Sequence, residues 1–296
     1  MENKNHKSGF VNIIGNPNVG KSTLMNKLIG EKLSIITSKA QTTRHRILGI
    51  VNDENHQIVF SDTPGIIQPN YNLQSSMMKF VKSAFQDADI FIYMVEIGEI
   101  MLKDKSFFER LKNTNIPILL LLNKIDKSNQ TEVEKFSAYW ISILPKATII
   151  PISALEGFGV KKIIDEIKKL LPEGTPFYPK DSLTDRPERF FVSEIIREKI
   201  LLNYQKEIPY SVEVVIESFN DEEKIIRIGA VINVARETQK GIIIGHQGKP
   251  LKKIGTQARK DLEIFFGKKV FLELYVKVAK NWRNNDKDLK RFGYFI

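Results

Sequence analysis

The eight residues Gly15-Asn16-Pro17-Asn18-Val19-Gly20-Lys21-Ser22 constrain this chain more than any other stretch. Two glycines bracket four residues, and a lysine and a hydroxyl follow at once, which fits a phosphate loop G-x-x-x-x-G-K-[ST]. Backbone N–H groups of such a loop wrap phosphates, and the lysine reaches the outer ones. The pattern carries that meaning only between a strand and a helix. Residues 10–14 are a short apolar β-prone run and residues 22–29 read as a helix, so the context is met.

The rest of the first half repeats the alternation that a parallel sheet needs. Residues 47–51, 57–61, 89–95, 116–122 and 148–152 read as strands, the last three as continuous apolar runs buried on both faces. Helical patterns lie near 73–86, 104–112, 132–144 and 160–171. This is a doubly wound α/β domain over residues 7–173. Pro172, Pro176, Pro179 and Pro187 mark a linker, placed at 174–189. From 190 the pattern changes to helix 190–206, strands 211–217 and 225–235, two helical segments around Gly245–Gly248, and a last strand 270–278. The order α-β-β-α-α-β defines a second, small α+β domain over 190–296.

Composition narrows the classes. A chain of 296 residues that is 42% hydrophobic and 27% charged is ordinary for globular domains. The absence of cysteine removes disulfides, thiolate metal sites and cysteine nucleophiles, and it fits a reducing compartment. The start has no signal-peptide core, and no apolar run is long enough to span a bilayer, so a cytoplasmic chain is expected. The net charge of +10 is concentrated. Residues 240–296 hold 14 lysines and arginines against 5 acidic residues, a net of +9. A field of one sign implies a polyanionic partner, either nucleic acid or an anionic membrane surface; the bland alternative is a solvated basic surface.

Within the phosphate loop, Gly15 and Gly20 let the backbone approach, and Asn16, Pro17 and Val19 complete the cradle. Lys21 bridges the outer phosphates, Ser22 is a Mg²⁺ ligand, and Thr23 follows on the helix N-terminus. Asp62-Thr63-Pro64-Gly65 closes the third strand: Asp62 is placed to hold Mg²⁺ through water, and the Gly65 N–H senses a γ-phosphate. In the polar loop Gln41-Thr42-Thr43-Arg44, Thr43 is favoured over Thr42 as the residue that completes the Mg²⁺ shell. Lys21, Thr43 and Gly65 are thus the catalytic candidates. Asn123-Lys124-Ile125-Asp126 presents an amide and a carboxylate to a base edge. Asp126 pairs with the guanine N1–H and N2–H₂, which adenine lacks, and Lys124 packs along the base. Ser153-Ala154-Leu155 supplies a backbone N–H for guanine O6. The substrate is therefore GTP, and the product GDP.

In the second domain, Gly245-His246-Gln247-Gly248 is a G-x-x-G loop after the apolar lead-in Gly241-Ile242-Ile243-Ile244. With Lys249, Lys252, Lys253, Arg259 and Lys260 on the following helix, it is expected to clamp a single-stranded nucleic-acid backbone. The mixed cations and aromatics at Trp282-Arg283 and Arg291-Phe292-Gly293-Tyr294 either stack on bases or pack back onto their own domain.

Taken together, the strings GNPNVGKSTL, KAQTTRHRILGI, DTPGI and NKID with a type II KH pattern resemble the Era family of bacterial GTPases, from about Phe10 to Tyr294. Where Ras-like GTPases carry a water-positioning glutamine after D-x-x-G, this chain has Ile66, so hydrolysis should be slow or aided. Asn18 resembles the asparagine of cation-dependent GTPases, which makes it the candidate K⁺ ligand. The resemblance implies a monomeric GTP-dependent factor in maturation of the small (30S) ribosomal subunit. It implies binding of the 3′ end of 16S rRNA, in the cytoplasm and at the inner face of the cell membrane. The alternative is a membrane-surface GTPase whose basic end docks on anionic lipid.

Overall fold

The computed structural model describes residues 6–39 and 41–294. The chain divides into two compact units, residues up to 185 without 70–76, and residues 186 onward with Asn70–Ser76.

In the first unit a six-stranded sheet has the order β2-β3-β1-β4-β5-β6. Its strands are β1 (Lys7–Gly15), β2 (Ile47–Asn52), β3 (His56–Asp62), β4 (Ile90–Glu96), β5 (Ile118–Asn123) and β6 (Thr148–Pro151). All pair in parallel except β2, which is joined to β3 by a tight turn and runs antiparallel to it. The helices are α1 (Lys21–Ile29), α2 (Asn72–Ala84), α3 (Lys105–Lys112), α4 (Gln130–Ile143) and α5 (Val160–Leu170). Alternation along the central strands divides their side chains between two layers. Val11, Ile13, Ile92 and Met94 face Leu24 and Leu28 of α1 and Ile163 and Ile167 of α5, all buried. On the opposite face Tyr93 meets Trp140 of α4 edge-on at 5.4 Å, and Phe108 of α3 completes that cluster. The strand order reverses at β1, so the loops after β1, β3, β5 and β6 gather at one end of the sheet, where doubly wound folds bind ligands.

The proline-bearing stretch after α5 is bonded rather than free. Gln57 binds it three times: its amide oxygen accepts from the N–H groups of Phe177 (2.7 Å) and Tyr178 (3.0 Å), and its amide nitrogen donates to the Tyr178 carbonyl (2.8 Å). Further on, the Ile50 N–H donates to the Leu183 carbonyl at 2.8 Å, and the Thr184 hydroxyl donates to the Leu48 carbonyl at 2.6 Å. Residues expected as a linker thus lie along β2 and β3. Gln57, fully buried, is the reason, since its amide must find partners there.

The second unit is a three-stranded sheet of order β7-β8-β9 with helices on its inner face. Its elements are α6 (Glu188–Asn203), a single turn α7 (Ile208–Ser211), β7 (Val212–Asp221), β8 (Ile225–Val234), α8 (Glu237–Ile244), α9 (Lys249–Phe266), β9 (Lys269–Val278) and α10 (Asp286–Arg291). β8 pairs antiparallel with β7 and parallel with β9. The apolar positions of α6, α8 and α9 (Ile196, Ile200, Ile243, Ile254, Ala258, Leu262) bury against Ile226, Ile228, Ala230 and Ile232 of β8. The tail packs back onto its own domain. Trp282 is fully buried and donates from Nε1 to the Ser211 carbonyl at 3.0 Å. The buried Tyr294 hydroxyl donates to Glu213 at 2.6 Å. That settles the fate of these aromatics against base stacking. α7, at four residues, and α10, at six mostly charged ones, are too short to have been legible as helices.

Candidate functional site

The loops at the sheet's ligand end enclose a cleft of about 350 Å³. Its lining includes Pro17, Asn18, Gly20, Lys21, Ser22 and Thr23 from the phosphate loop and Thr43 and Gly65 from the next two motifs. Asn123, Lys124, Asp126, Ala154 and Leu155 complete it from the far side. Five segments spread over about 140 residues are thus brought to one cavity. Gly15, Asn16, Val19, Asp62, Thr63, Pro64 and Ser153 stand behind the lining. Val19 is core, and Thr63 is buried with its hydroxyl on the Ile13 carbonyl.

Three oxygen-bearing side chains converge at the phosphate end. Ser22 Oγ donates to Asp62 Oδ2 at 2.8 Å, and Thr43 Oγ1 lies 2.8 Å from Ser22 Oγ and 3.3 Å from the same carboxylate oxygen. The other oxygen of Asp62 is buried with no hydrogen-bond partner among the described residues. A buried, orphaned carboxylate oxygen costs about 1–3 kcal/mol. The cost is recovered when a cation approaches, so hard-oxygen donors of this kind fit Mg²⁺. Burial also raises the Asp62 carboxyl above the usual carboxylate range, against the pull of Lys21. Thr42 is elsewhere, with its hydroxyl on the Lys39 carbonyl at 2.7 Å, so the geometry separates the two threonines.

Lys21 donates to the carbonyls of Gly15 (3.2 Å) and Asn16 (2.8 Å). Burial lowers it to about 8, against the opposing carboxylates of Asp62 and Glu99. An anion in the cleft would reverse that penalty. Gly20 has φ 105°, and a Cβ there would lie 2.4 Å from the Asn123 amide nitrogen, so only glycine fits. Ile66 is fully buried, and its N–H donates to the Gly15 carbonyl at 3.1 Å. It is a core residue and is not aimed at the cleft.

At the base end, Asn123 lines the cleft and its side chain is also tied to the protein. Its Nδ2 donates to the Val19 carbonyl at 2.7 Å and its Oδ1 accepts from the Ala154 N–H at 2.9 Å. Asn123 therefore staples the phosphate loop to the loop after β6, and the Ala154 N–H is committed to it. Asp126 is exposed and free to face a ligand on one oxygen, while Ser153 Oγ donates to the other at 2.6 Å and orients it. Lys124 sits in the left-handed region (φ 65°) with its ammonium 2.5 Å from Glu96 Oε2. Glu96 was missed by motif reading. Its register is the available signal, because it lies opposite Asn123 at the ends of adjacent parallel strands. Asn18, also at positive φ (66°), donates from its amide to the Ser38 carbonyl at 3.2 Å, and its Oδ1 is the atom available to a cation.

The second unit carries a separate groove of about 380 Å³, lined by Gly248, Leu251, Lys252, Gly255, Thr256, Arg259, Leu272 and Leu274. Gly245 (φ 67°) is required locally, since a Cβ would strike the Pro250 ring at 2.3 Å. His246 and Gln247 are exposed in a one-turn 3₁₀ segment between α8 and α9. Of the expected cations, Lys252 and Arg259 reach the groove. Lys249, Lys253 and Lys260 are exposed outside its lining. Gly241 lies within α8, and Ile244 packs against the core. Gly255 and Thr256 were missed, although positions 252, 255, 256 and 259 share one helix face. Leu272 and Leu274 supply the apolar wall from β9.

Two families match. Residues 10–124 match "50S ribosome-binding GTPase" and residues 207–283 match "KH domain". The chain is 48% identical to GTPase Era of Syntrophus aciditrophicus over 291 residues, 97% of this chain and 95% of that protein. It is 45% identical to GTPase Era of Staphylococcus epidermidis over 98% of this chain and 97% of that one. Among solved structures it is similar to Era in complex with MgGDPNP and nucleotides 1506–1542 of 16S ribosomal RNA. The TM-score is 0.94 at 40% identity, covering 98% of this chain and 100% of the other. An Aquifex aeolicus Era variant bound to GDP and AlF4⁻ superposes equally, with a TM-score of 0.94 at 39% identity and the same coverage.

Proposed function

The chain belongs to the Era family of GTPases, and from that premise we propose that it is a GTP-operated RNA-binding factor. It would bind the 3′ region of 16S rRNA and assist maturation of the small ribosomal subunit. The observation that carries the reading is the convergence of Ser22, Thr43 and the half-orphaned Asp62 beside Lys21 in one cleft, on a chain that also holds a glycine-loop groove.

In this reading the backbone of the phosphate loop and Lys21 hold the GTP phosphates. Ser22, Thr43 and Asp62 hold Mg²⁺, which when bound neutralises charge on the phosphate oxygens. Asp126, oriented by Ser153, selects guanine, and Lys124, held by Glu96, flanks the base. Thr43 and Gly65 respond to the γ-phosphate. Catalysis is positioning plus charge stabilisation, and with isoleucine at 66 no side chain there orients the attacking water. Asn18 would recruit K⁺ to the same charge. K⁺ buffers should then accelerate hydrolysis over Na⁺ buffers, and equal rates would remove Asn18 from that role.

RNA enters the groove with phosphates against Gly248, Lys252 and Arg259 and bases against Leu251, Leu272 and Leu274. Lipid docking would need charge but neither the glycine loop nor an apolar wall, so the groove favours RNA. Among the described residues no helix is long and apolar enough to cross a membrane. The working place in this reading is the cytoplasm, as a monomer. The decisive test is photocrosslinking in cell extract with a GTP analogue, followed by sequencing of the RNA. Recovery of 16S 3′-terminal RNA is expected, and its absence would overturn the reading. If RNA affinity is the same with GTP analogue, GDP or no nucleotide, the switch part of the proposal is wrong.

A further inference from the structure

Asn16 belongs to the phosphate loop, yet its side chain points out of the cleft and into the loop between β4 and α3. Its Nδ2 donates to the carboxylate of Glu99 and to the Met101 carbonyl at 2.9 Å, and its Oδ1 accepts from the Lys103 N–H at 2.9 Å. On the other side, the Asn16 backbone carbonyl holds the Lys21 ammonium at 2.8 Å. One residue therefore joins the β4–α3 loop to the lysine that meets the phosphates. We infer that Glu99 is a positioning residue of the phosphate site, which through Asn16 fixes the loop and whose charge sets how tightly nucleotide phosphates are held.

The surroundings of Glu99 decide the sign. Lys21, at the start of α1, is the cation whose charge reaches it. Glu96 is the nearest like charge, itself paired with Lys124 at 2.5 Å. Tyr93 from β4 is neutral and buried, and Tyr139 from α4 donates its hydroxyl to the Ile100 carbonyl at 3.0 Å. Glu99 also accepts from the Glu96 N–H at 3.4 Å. Among the described residues, Lys21 is the cation whose charge acts on Glu99. Burial is the largest influence and pushes the Glu99 carboxyl up to about 7, despite the bonds from Glu96 and Asn16 and the charge of Lys21. Its charge therefore changes within the range in which cells live.

The direction follows from linkage. Below about pH 7 the carboxyl is protonated and neutral. Above it, an anion stands behind the loop that must receive two or three phosphates, and it competes with them for Lys21. Nucleotide binding should thus favour the protonated form, and affinity should fall as pH rises through 7. A single proton allows at most a tenfold change per pH unit. Glu99→Gln keeps an oxygen acceptor for Asn16 and removes the charge, so it separates tethering from electrostatics.

The inference rests on the cleft being the GTP site, and the test keeps the two apart. Fluorescent methylanthraniloyl-GDP with Mg²⁺ is titrated into full-length wild type and E99Q at steps from about pH 6 to about pH 7.5, a window that crosses the Glu99 transition and stays below that of Lys21. Proton equilibria of the nucleotide are common to both proteins and cancel in the ratio of their Kd values. That ratio should grow by roughly threefold in favour of E99Q across the window. A constant ratio overturns the inference, and no binding at any pH overturns the GTP reading instead. If E99Q does not fold, carboxyl ¹³C resonances of the wild type decide. A Glu99 midpoint near neutrality that rises with GDP supports the inference, and a midpoint in the ordinary glutamate range sinks it.

Discussion

In the cleft of the first unit, polar side chains are tied to one another. Asn123 bridges two loops, Ser153 orients Asp126, Glu96 holds Lys124, and Ser22 and Thr43 lean on Asp62. In the groove of the second unit, the side chains of Lys252 and Arg259 make no hydrogen bond or ion pair among the described residues. The first site is preorganised in a hydrogen-bonded network, so binding there costs little reordering and discriminates strongly. The second offers charge and apolar walls with rotamer freedom, which suits a flexible polyanion and gives a salt-dependent grip. A fixed small ligand and a variable polymer call for those two solutions.

The difference can be tested from the strongest effect downward. Asp126→Asn should reduce GTP affinity by about 10⁴-fold, because the partner of two guanine donors is lost from a prepared site. Isothermal titration with GTP and XTP checks it, and a merely few-fold loss would mean that Asp126 does not read the base. Trp282→Ala should destabilise the second unit by about 3–5 kcal/mol by leaving a cavity where a fully buried indole stood. Calorimetry should show that transition alone shifting, with GDP binding unaltered; a shift in GDP affinity would mean that the two sites are not independent. Gly248→Asp places a carboxylate in the groove where a Cβ meets nothing within 4 Å. It should weaken RNA binding by about a hundredfold through like-charge opposition to phosphate, and the positive φ at 248 should cost about 1–2 kcal/mol of stability besides. Lys252→Ala should act least, weakening RNA binding a few-fold at low salt and reducing the salt slope by about 1. A slope unchanged by that substitution would place Lys252 off the RNA.

The fold of both units was legible because its signals are short-range. Apolar runs such as residues 116–122 and the strand–loop–helix around Lys21 announce themselves, and the G-x-x-G loop has glycines at positions whose φ values need them. The candidate site was legible as a set of motifs but not as a network. Asn123 reads as a base contact because it lies near Asp126 in sequence, and only the parallel register of β5 and β6 reveals that it also ties Val19 to Ala154. Glu96 and Glu99 carry no motif, and their roles arise from where β4 ends. The tail aromatics could have met either solvent or core, and the buried Ser211 carbonyl that accepts from Trp282 is invisible in sequence. What residues 174–185 lie against was hidden for the same reason, since prolines announce an irregular segment but say nothing of its neighbours.

That last segment has a practical side. β2 is the outermost strand of its sheet, and an uncovered strand edge is a template for pairing with other chains. The bonds from Leu183 and Thr184, with Tyr178 against Leu48 and Ile50, cover it. A nucleotide-binding fragment cut at residue 173 would bare that edge and should be prone to aggregate, whereas one ending at 185 keeps its own selvage. A protease that nicks this strap would turn a well-behaved domain into a sticky one without touching a single residue of the cleft.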